Sequence, residues 1–188
     1  MEFIPFKRNH IEQVLSIANS TLGANYLTVP YLNKYLNSNN YLAFVIIEDN
    51  KVVGFISSVI LTPPQLKETV LKEKDWFYEL SKKYSKISLQ KQVIVHPSCI
   101  GKGYGSQLVK LSSKVIDSLC DFQLSNVWIK RSNNAMSNLL LKNGFERSKN
   151  IPNYWQADSL DNKYSCPECG TPPCLCSTEV YCKKMHQR

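Results

Sequence analysis

Long apolar runs are missing from this 188-residue chain: nothing in it approaches the roughly 20 consecutive apolar residues of a membrane-spanning helix. A leader pattern is missing too. Met1-Glu2-Phe3-Ile4-Pro5 is short and acidic, so the expected compartment is cytoplasmic and no membrane partner is expected. Acidic residues are in short supply, 15 against 23 Lys and Arg, for a net charge of +8. Such a balance suits nucleic acid, an acidic membrane or an anionic small molecule. The lysines are scattered, at 67, 72, 74, 82, 83, 86 and 91 and again at 183 and 184. They form no continuous basic stripe with interleaved aromatics, which argues against nucleic acid. Histidine is scarce: His10, His96 and His186 are dispersed, and no Ser-His-Asp set is visible. Glycine is scarce as well, with seven in all.

That scarcity makes one stretch stand out, because three of the seven glycines fall within five residues. Val93-Ile94-Val95-His96-Pro97 is a β-branched strand running into a proline, followed by Ser98-Cys99-Ile100-Gly101-Lys102-Gly103-Tyr104-Gly105-Ser106-Gln107-Leu108. The second half opens an amphipathic helix: Leu108, Leu111 and Val115 share a face that Val109, Ile116 and Leu119 extend. Residues without Cβ let an anion approach the main chain, and the unpaired N–H groups of the following helix then face it. The segment therefore predicts a phosphate-bearing ligand. A dinucleotide fingerprint needs a glycine at the sixth position; counted from Gly101 that residue is Ser106, and counted from Gly103 it is Leu108. A nucleoside-triphosphate loop needs Gly-Lys followed by Ser or Thr, and Gly103 follows Gly101-Lys102 here.

Strand, Pro97 and Gly101-Lys102-Gly103-Tyr104-Gly105 resemble the acyl-CoA-binding motif of the GNAT superfamily of N-acetyltransferases. Downstream, Asn133-Asn134-Ala135-Met136-Ser137-Asn138-Leu139-Leu140-Leu141-Lys142-Asn143-Gly144-Phe145 is similar to that family's later helix and its Lys-x-Gly-Phe turn. The resemblance covers residues 1–160 and a last strand near 178–185. It implies an α/β (α+β) fold with a mixed, largely antiparallel sheet flanked by helices. At 43% hydrophobic and 20% charged residues the chain reads as one globular domain over 1–188.

Within that domain, Phe3–Phe6 reads as a first strand, 10–22 as a helix ended by Gly23, and 31–36 as a short helix after Pro30. Residues 41–47 and 52–61 read as a hairpin around Asp49-Asn50. Thr62-Pro63-Pro64 then breaks the strand, and 62–85 reads as a helical insertion with Leu66, Val70, Trp76, Phe77 and Leu80 on a loose apolar face. The central strand is 87–95, the next 126–129, and residues 134–142 form a helix capped by Asn143-Gly144. Residues 152–158 and 178–185 are expected to pair as the last hairpin.

A cysteine cluster sits inside that hairpin, at 162–177. Cys166-Pro167-Glu168-Cys169-Gly170 has the composition of a metal knuckle, and Cys174 and Cys176 bring the thiols to four. Four sulfurs suit a structural, tetrahedral Zn²⁺. An iron site uses the same ligands, free thiols in an irregular loop are the plain alternative, and Cys182 on the following strand is an alternative to Cys176. Cys99 and Cys120 have no partners in sequence.

The resemblance implies acetyl transfer from acetyl-CoA to a primary amine of a small molecule or protein. Pyrophosphate would lie on Ile100, Gly101, Lys102, Gly103, Tyr104, Gly105 and Ser106. Val93 and Val95 would offer backbone groups to the pantetheine arm and acetyl carbonyl, and Asn134 would reach that arm. Two positions depart from the family pattern: Ile100 stands where Arg or Gln usually begins the loop, and Leu140 where a Tyr often serves as general acid. The central strand offers Leu89, Gln90 and Gln92 and no acidic base, which leaves Tyr154 and His96 as candidates by residue type, with Tyr104 and Tyr41 behind them. A non-catalytic acyl-CoA sensor is the competing reading, and a homodimer is left open.

Overall fold

The computed structural model describes residues 1–129 and 135–185. Seven strands form one sheet: β1 Glu2–Pro5, β2 Tyr41–Glu48, β3 Lys51–Leu61, β4 Ile87–Val95, β5 Phe122–Trp128, β6 Glu146–Ile151 and β7 Thr178–Lys184. Their order is β1-β2-β3-β4-β5-β7-β6, and every neighbouring pair is antiparallel except β4 with β5. This is the mixed, largely antiparallel sheet expected.

The alternation of β2 and β3 divides the core between the two faces. Val45 and Phe55 face α1 (Ile11–Thr21) and α2 (Val29–Asn33), packing with Val14, Ile17 and Leu32. Their neighbours Ile46 and Ile56 face the other way, against Leu108 and Val109 of α5 (Tyr104–Asp117) and Leu140 of α6 (Ala135–Lys142). Covered on both sides, β3 is buried along nearly its whole length.

The helical insertion expected over 62–85 holds two helices, α3 (Pro63–Thr69) and α4 (Lys74–Ser81). Thr62 starts α3 in a capping box, with its N–H donating to Gln65 Oε1 at 2.9 Å, and Pro63 takes the first turn. The break falls at Glu73, whose φ of 57° is left-handed. Leu66, Val70 and Phe77 bury against Ile87, Leu89 and Phe122.

Three other expectations need correction. Pro30 lies inside the first turn of α2, not before it, and Thr28 is the cap, accepting from the Tyr31 N–H at 3.3 Å. The strand expected at 126–129 begins earlier, at Phe122. The partner of the last strand is Glu146–Ile151, not 152–158; Asn153 turns left-handed at φ 49°, and Gln156–Asn162 forms a short helix, α7. Strand β6 is a sheet edge exposed along most of its length, so its residues carry no apolar alternation to reveal it. Among the described residues no helix is long and apolar enough to cross a membrane.

Candidate functional site

A fault in β4 opens the sheet. The register with β3 passes from Ser57↔Gln92 to Ser58↔Gln90, so Lys91 is an extra residue, a bulge that bends the strand. Parallel pairing with β5 covers only Ile87–Gln90 against Phe122–Ser125. Beyond it β5 continues along β7, and the edge of β4 from Lys91 to Val95 faces a cleft of about 600 Å³. Strand β5, the glycine loop and α6 complete the walls, and among the described residues no carboxylate lines the cleft.

The glycine loop closes one end. After a 3₁₀ turn at Pro97–Cys99, Gly101 and Gly103 adopt φ of +86° and +82°, and a Cβ on either would touch nothing within 4 Å. These glycines supply backbone conformation rather than room. Gly103 is the N-cap of α5, whose first turn holds no acidic residue and lines the cleft from Gly103 to Ser106. Gly105 serves differently: its Cβ would lie 3.0 Å from Leu139 Cδ1, so it lets α5 approach α6 closely. Val93, Val95, Ile100, Gly101, Gly103, Tyr104, Gly105 and Ser106 all line the cleft. Lys102 does not; its ammonium is 4.0 Å from Glu48. The same carboxylate accepts from Tyr104 Oη, and that hydrogen bond pushes the Tyr104 hydroxyl up to about 12. Ile100 is 71% exposed. Asn134 lies outside the described residues.

The two catalytic candidates sit apart. The Nδ1 of His96 caps the 3₁₀ turn, 3.3 Å from the Ser98 N–H and 2.8 Å from Ser98 Oγ, and the ring is not a wall of the cleft. Tyr154 is buried in the wall of a second cavity, about 210 Å³, that shares Tyr26, Gln90, Lys91, Gln92, Asn126, Trp155 and Tyr164 with the first. Burial pushes its hydroxyl up to about 12. Leu140 is fully buried between α5 and the sheet.

The second cavity was not legible in the sequence. Tyrosines 26, 31, 154 and 164 and Trp155 give it an aromatic wall, and among the described residues Asp158 is the one carboxylate lining either cavity. Gln90 donates to Ser125 Oγ at 2.9 Å and Asn126 to Tyr154 Oη at 2.9 Å, while the amide oxygens of both are buried without a protein partner. Gln92 is held from two sides: Ser57 Oγ donates to its Oε1, and its Nε2 donates to Tyr31 Oη at 3.0 Å. These residues come from the α1–α2 connection, α2, the bulged strand, β5 and the segment after β6, so no single period or motif links them.

The cysteine segment borders both cavities. The Sγ atoms of Cys166, Cys169, Cys174 and Cys176 lie within 4.8 Å of one another. Cys166 and Gly170 exchange backbone hydrogen bonds of 2.8 and 2.7 Å, closing a knuckle at Gly170, whose φ is +78°. Cys176 Sγ is 3.8 Å from that of Cys166 and 3.4 Å from that of Cys169. Four thiolates around an ion at about 2.3 Å stand about 3.8 Å apart, so the spacing suits a tetrahedral ion. Cys182 lies outside the group; it faces Leu124 across β5–β7, and burial pushes its thiol up to about 11.

Comparison with known proteins agrees with this geometry. The profile of the Acetyltransferase (GNAT) family matches residues 11–145. Among solved structures, the chain is similar to the ribosomal-protein-S18-alanine N-acetyltransferase of Escherichia coli, at 12% identity over 100% of this chain and 95% of that one, with a TM-score of 0.68. It is likewise similar to Arabidopsis thaliana NAA60 in complex with acetyl-CoA, at 11% identity, 98% of both chains and a TM-score of 0.70. An N-acetyltransferase from Staphylococcus aureus Mu50 gives 15% identity, 98% of both chains and a TM-score of 0.65. No curated protein matches the sequence. Identities this low speak for the fold alone; the family profile, which spans most of the chain, assigns it to the GNAT family of acetyltransferases.

Proposed function

We propose that the protein transfers the acetyl group of acetyl-CoA to a primary amine, with the cofactor in the larger cleft and the amine in the tyrosine-lined cavity. The observation that carries this reading is the edge of β4 beyond the Lys91 bulge, which faces the cleft directly beside the glycine loop. Backbone N–H groups at the start of α5, from Gly103 to Ser106, would hold the pyrophosphate, as helix N-termini hold anions, while those of Ile100 and Lys102 donate to Pro97 and Cys99 within the turn; the backbone of Val93 and Val95 would hold the pantetheine arm and the thioester carbonyl. Lys102, turned toward Glu48, adds general positive charge rather than a contact inside the cleft.

The bound ammonium gives one proton to water, the freed nitrogen lone pair forms the C–N bond at the thioester carbon, the C–S bond breaks with its electron pair leaving on the CoA sulfur, and the second proton lost from nitrogen passes through solvent to that thiolate. Carbonyl charge builds as the bond forms, so a fixed N–H beside it lowers the barrier. Asp158, the carboxylate of that cavity's wall among the described residues, receives the donor-rich ammonium end. Tyr154 orients Asn126 rather than meeting the leaving thiolate: its hydroxyl, at about 12, is a far weaker acid than a thiol near 8.5. His96 is a turn cap. The four thiols suit Zn²⁺, which would cross-link a segment too small to have a core of its own.

The test is turnover. Metal-loaded protein with acetyl-CoA and a panel of small amines and peptide N-termini is expected to release CoA thiol in step with acetylated amine. Acetyl-CoA binding without acetylation of any amine would establish a sensor instead. Metal analysis separates zinc from iron.

A further inference from the structure

We infer that the four-thiolate node is the latch that assembles the acceptor cavity: with its ion bound, it ties the connection after α1 to α7, and without it those two walls part while the acetyl-CoA cleft persists. The inference rests on the assignment of the two cavities given above.

Residues 163–177 contain no helix or strand, only the Cys166–Gly170 bridge, and few of their side chains are buried. Such a stretch lacks the apolar burial that would fix its shape. Yet it contacts both walls of the acceptor cavity. Toward the first wall, the Ser165 N–H donates to the Ala24 carbonyl at 3.2 Å, and Ser165 Oγ accepts from the Ala24 N–H at 3.1 Å. Gly23 packs so tightly there that a Cβ on it would sit 2.0 Å from the Ser165 carbonyl oxygen and 3.2 Å from Pro167 Cδ; its φ of +109° forbids a side chain as well. Next to it, the Tyr164 ring meets the edge of Tyr26 at 5.0 Å and 84°. Toward the second wall, Tyr164 Oη donates to Asp158 at 2.8 Å, the Cys174 N–H to the buried Ser159 Oγ at 2.8 Å, and the Tyr154 N–H to the Cys176 carbonyl at 3.1 Å.

Tyr26, Tyr154, Asp158 and Tyr164, which carry the acceptor cavity, thus depend on one short segment closed by four sulfurs. The cofactor side does not. Its glycine loop and α5 are held by Leu108 and Val109 against Ile56 and Phe145, and its edge belongs to β4, which is bonded to β3 along its length. Cys166 and Cys174 also line the larger cleft, together with Tyr26 and Tyr164.

Amide hydrogen exchange with acetyl-CoA titration tests this on metal-loaded wild type, chelator-stripped wild type and Gly23→Ala. Stripping is expected to raise exchange by at least about 10-fold in 21–28 and 156–165 as well as in 166–176, with acetyl-CoA affinity changed by less than about 2-fold. Gly23→Ala is expected to retain its metal, read with Co²⁺ from the thiolate charge-transfer absorption, and still to raise exchange in 21–28. If stripping loosens 166–176 alone, or if acetyl-CoA affinity falls along with acceptor-side order, the latch is refuted. It is also refuted if the wild type, offered Zn²⁺ or Co²⁺, takes up no metal. Loaded wild type that binds no acetyl-CoA, yet shows the expected exchange pattern, would overturn the cofactor assignment and leave the latch standing.

Discussion

Tyr154 and Asn126 are joined by a 2.9 Å hydrogen bond in which the amide Nδ2 donates to the phenol oxygen, and the Leu71 N–H donates to the same oxygen at 3.2 Å. One buried oxygen therefore ties the segment after β6 to β5 and to the end of α3. Tyr154→Phe removes the acceptor of both donors and is expected to cost about 1–3 kcal/mol in chemical denaturation. Because burial raises the folded-state value from 10.0 to about 12, the stability this hydroxyl contributes is complete below pH 10 and is lost as pH rises through 12. The alkaline loss is expected to be smaller in Tyr154→Phe, and an unchanged alkaline limb would show that the hydroxyl is not the titrating group.

Asp158 accepts from Tyr164 Oη and from Asn162 Nδ2, at 2.8 and 2.9 Å. Replacement by Asn keeps an acceptor oxygen and removes the charge. Asp158→Asn is expected to raise KM for the amine by about 10-fold, as loss of one charge-assisted contact would, with acetyl-CoA affinity unchanged. Equal loss for both ligands in a binding titration would remove Asp158 from the acceptor site.

Gly103 and Gly105 separate conformation from space. Gly103 is left-handed with open surroundings, whereas Gly105 is helical and close to Leu139. Gly103→Ala is expected to cost about 1 kcal/mol in stability and to weaken acetyl-CoA by about 10-fold through displaced N–H groups. Gly105→Ala meets only the tip of a flexible leucine and is expected to be milder on both measures. The reverse ranking in a calorimetric titration would mean that the loop works through packing instead.

Asp121 closes the start of the parallel β4–β5 pair. Its Oδ2 accepts from Ser85 Oγ at 2.6 Å and from the Ser85 and Lys86 N–H groups at 3.0 Å each. The Ser85 hydroxyl first, then these backbone groups, hold the carboxyl below its ordinary 3.8. A depressed carboxyl stabilises the fold above its unfolded value and ceases to as pH falls through the folded one. Asp121→Asn is thus expected to lower Tm at neutral pH and to flatten the fall in Tm below about pH 4.

What the sequence reveals depends on whether a residue's reason is local. The glycine loop was legible because positive φ beside a helix start demands glycine, and the β2–β3 hairpin because Asp49-Asn50 marks a turn between two apolar runs. The break at Glu73 has no such marker, since a left-handed glutamate looks like any other in sequence. Strand β6 escaped because an exposed edge needs no apolar alternation. The acceptor walls escaped for a third reason: Tyr26 meets Tyr164, and Gly23 meets Ser165, across more than a hundred residues of chain. Gly23 read simply as the end of a helix; its tertiary seat is invisible without the fold.

Cys176 and Cys182 were interchangeable candidates from sequence, and the fold separates them. Cys176 Sγ stands 3.4 Å from that of Cys169, while Cys182 packs on β7 in the core beneath α3 and α4. Cys176→Ser leaves three sulfurs and a weaker ligand, so bound metal is expected to fall well below one equivalent after dialysis, with Co²⁺ charge-transfer absorption reduced. Cys182→Ser is expected to keep a full equivalent and the full band. Its cost appears instead in stability, by about 1–2 kcal/mol, because a hydroxyl replaces a thiol in an apolar setting. Loss of metal from Cys182→Ser, with Cys176→Ser still loaded, would exchange the two assignments and detach the Tyr154–Cys176 backbone contact from the metal node.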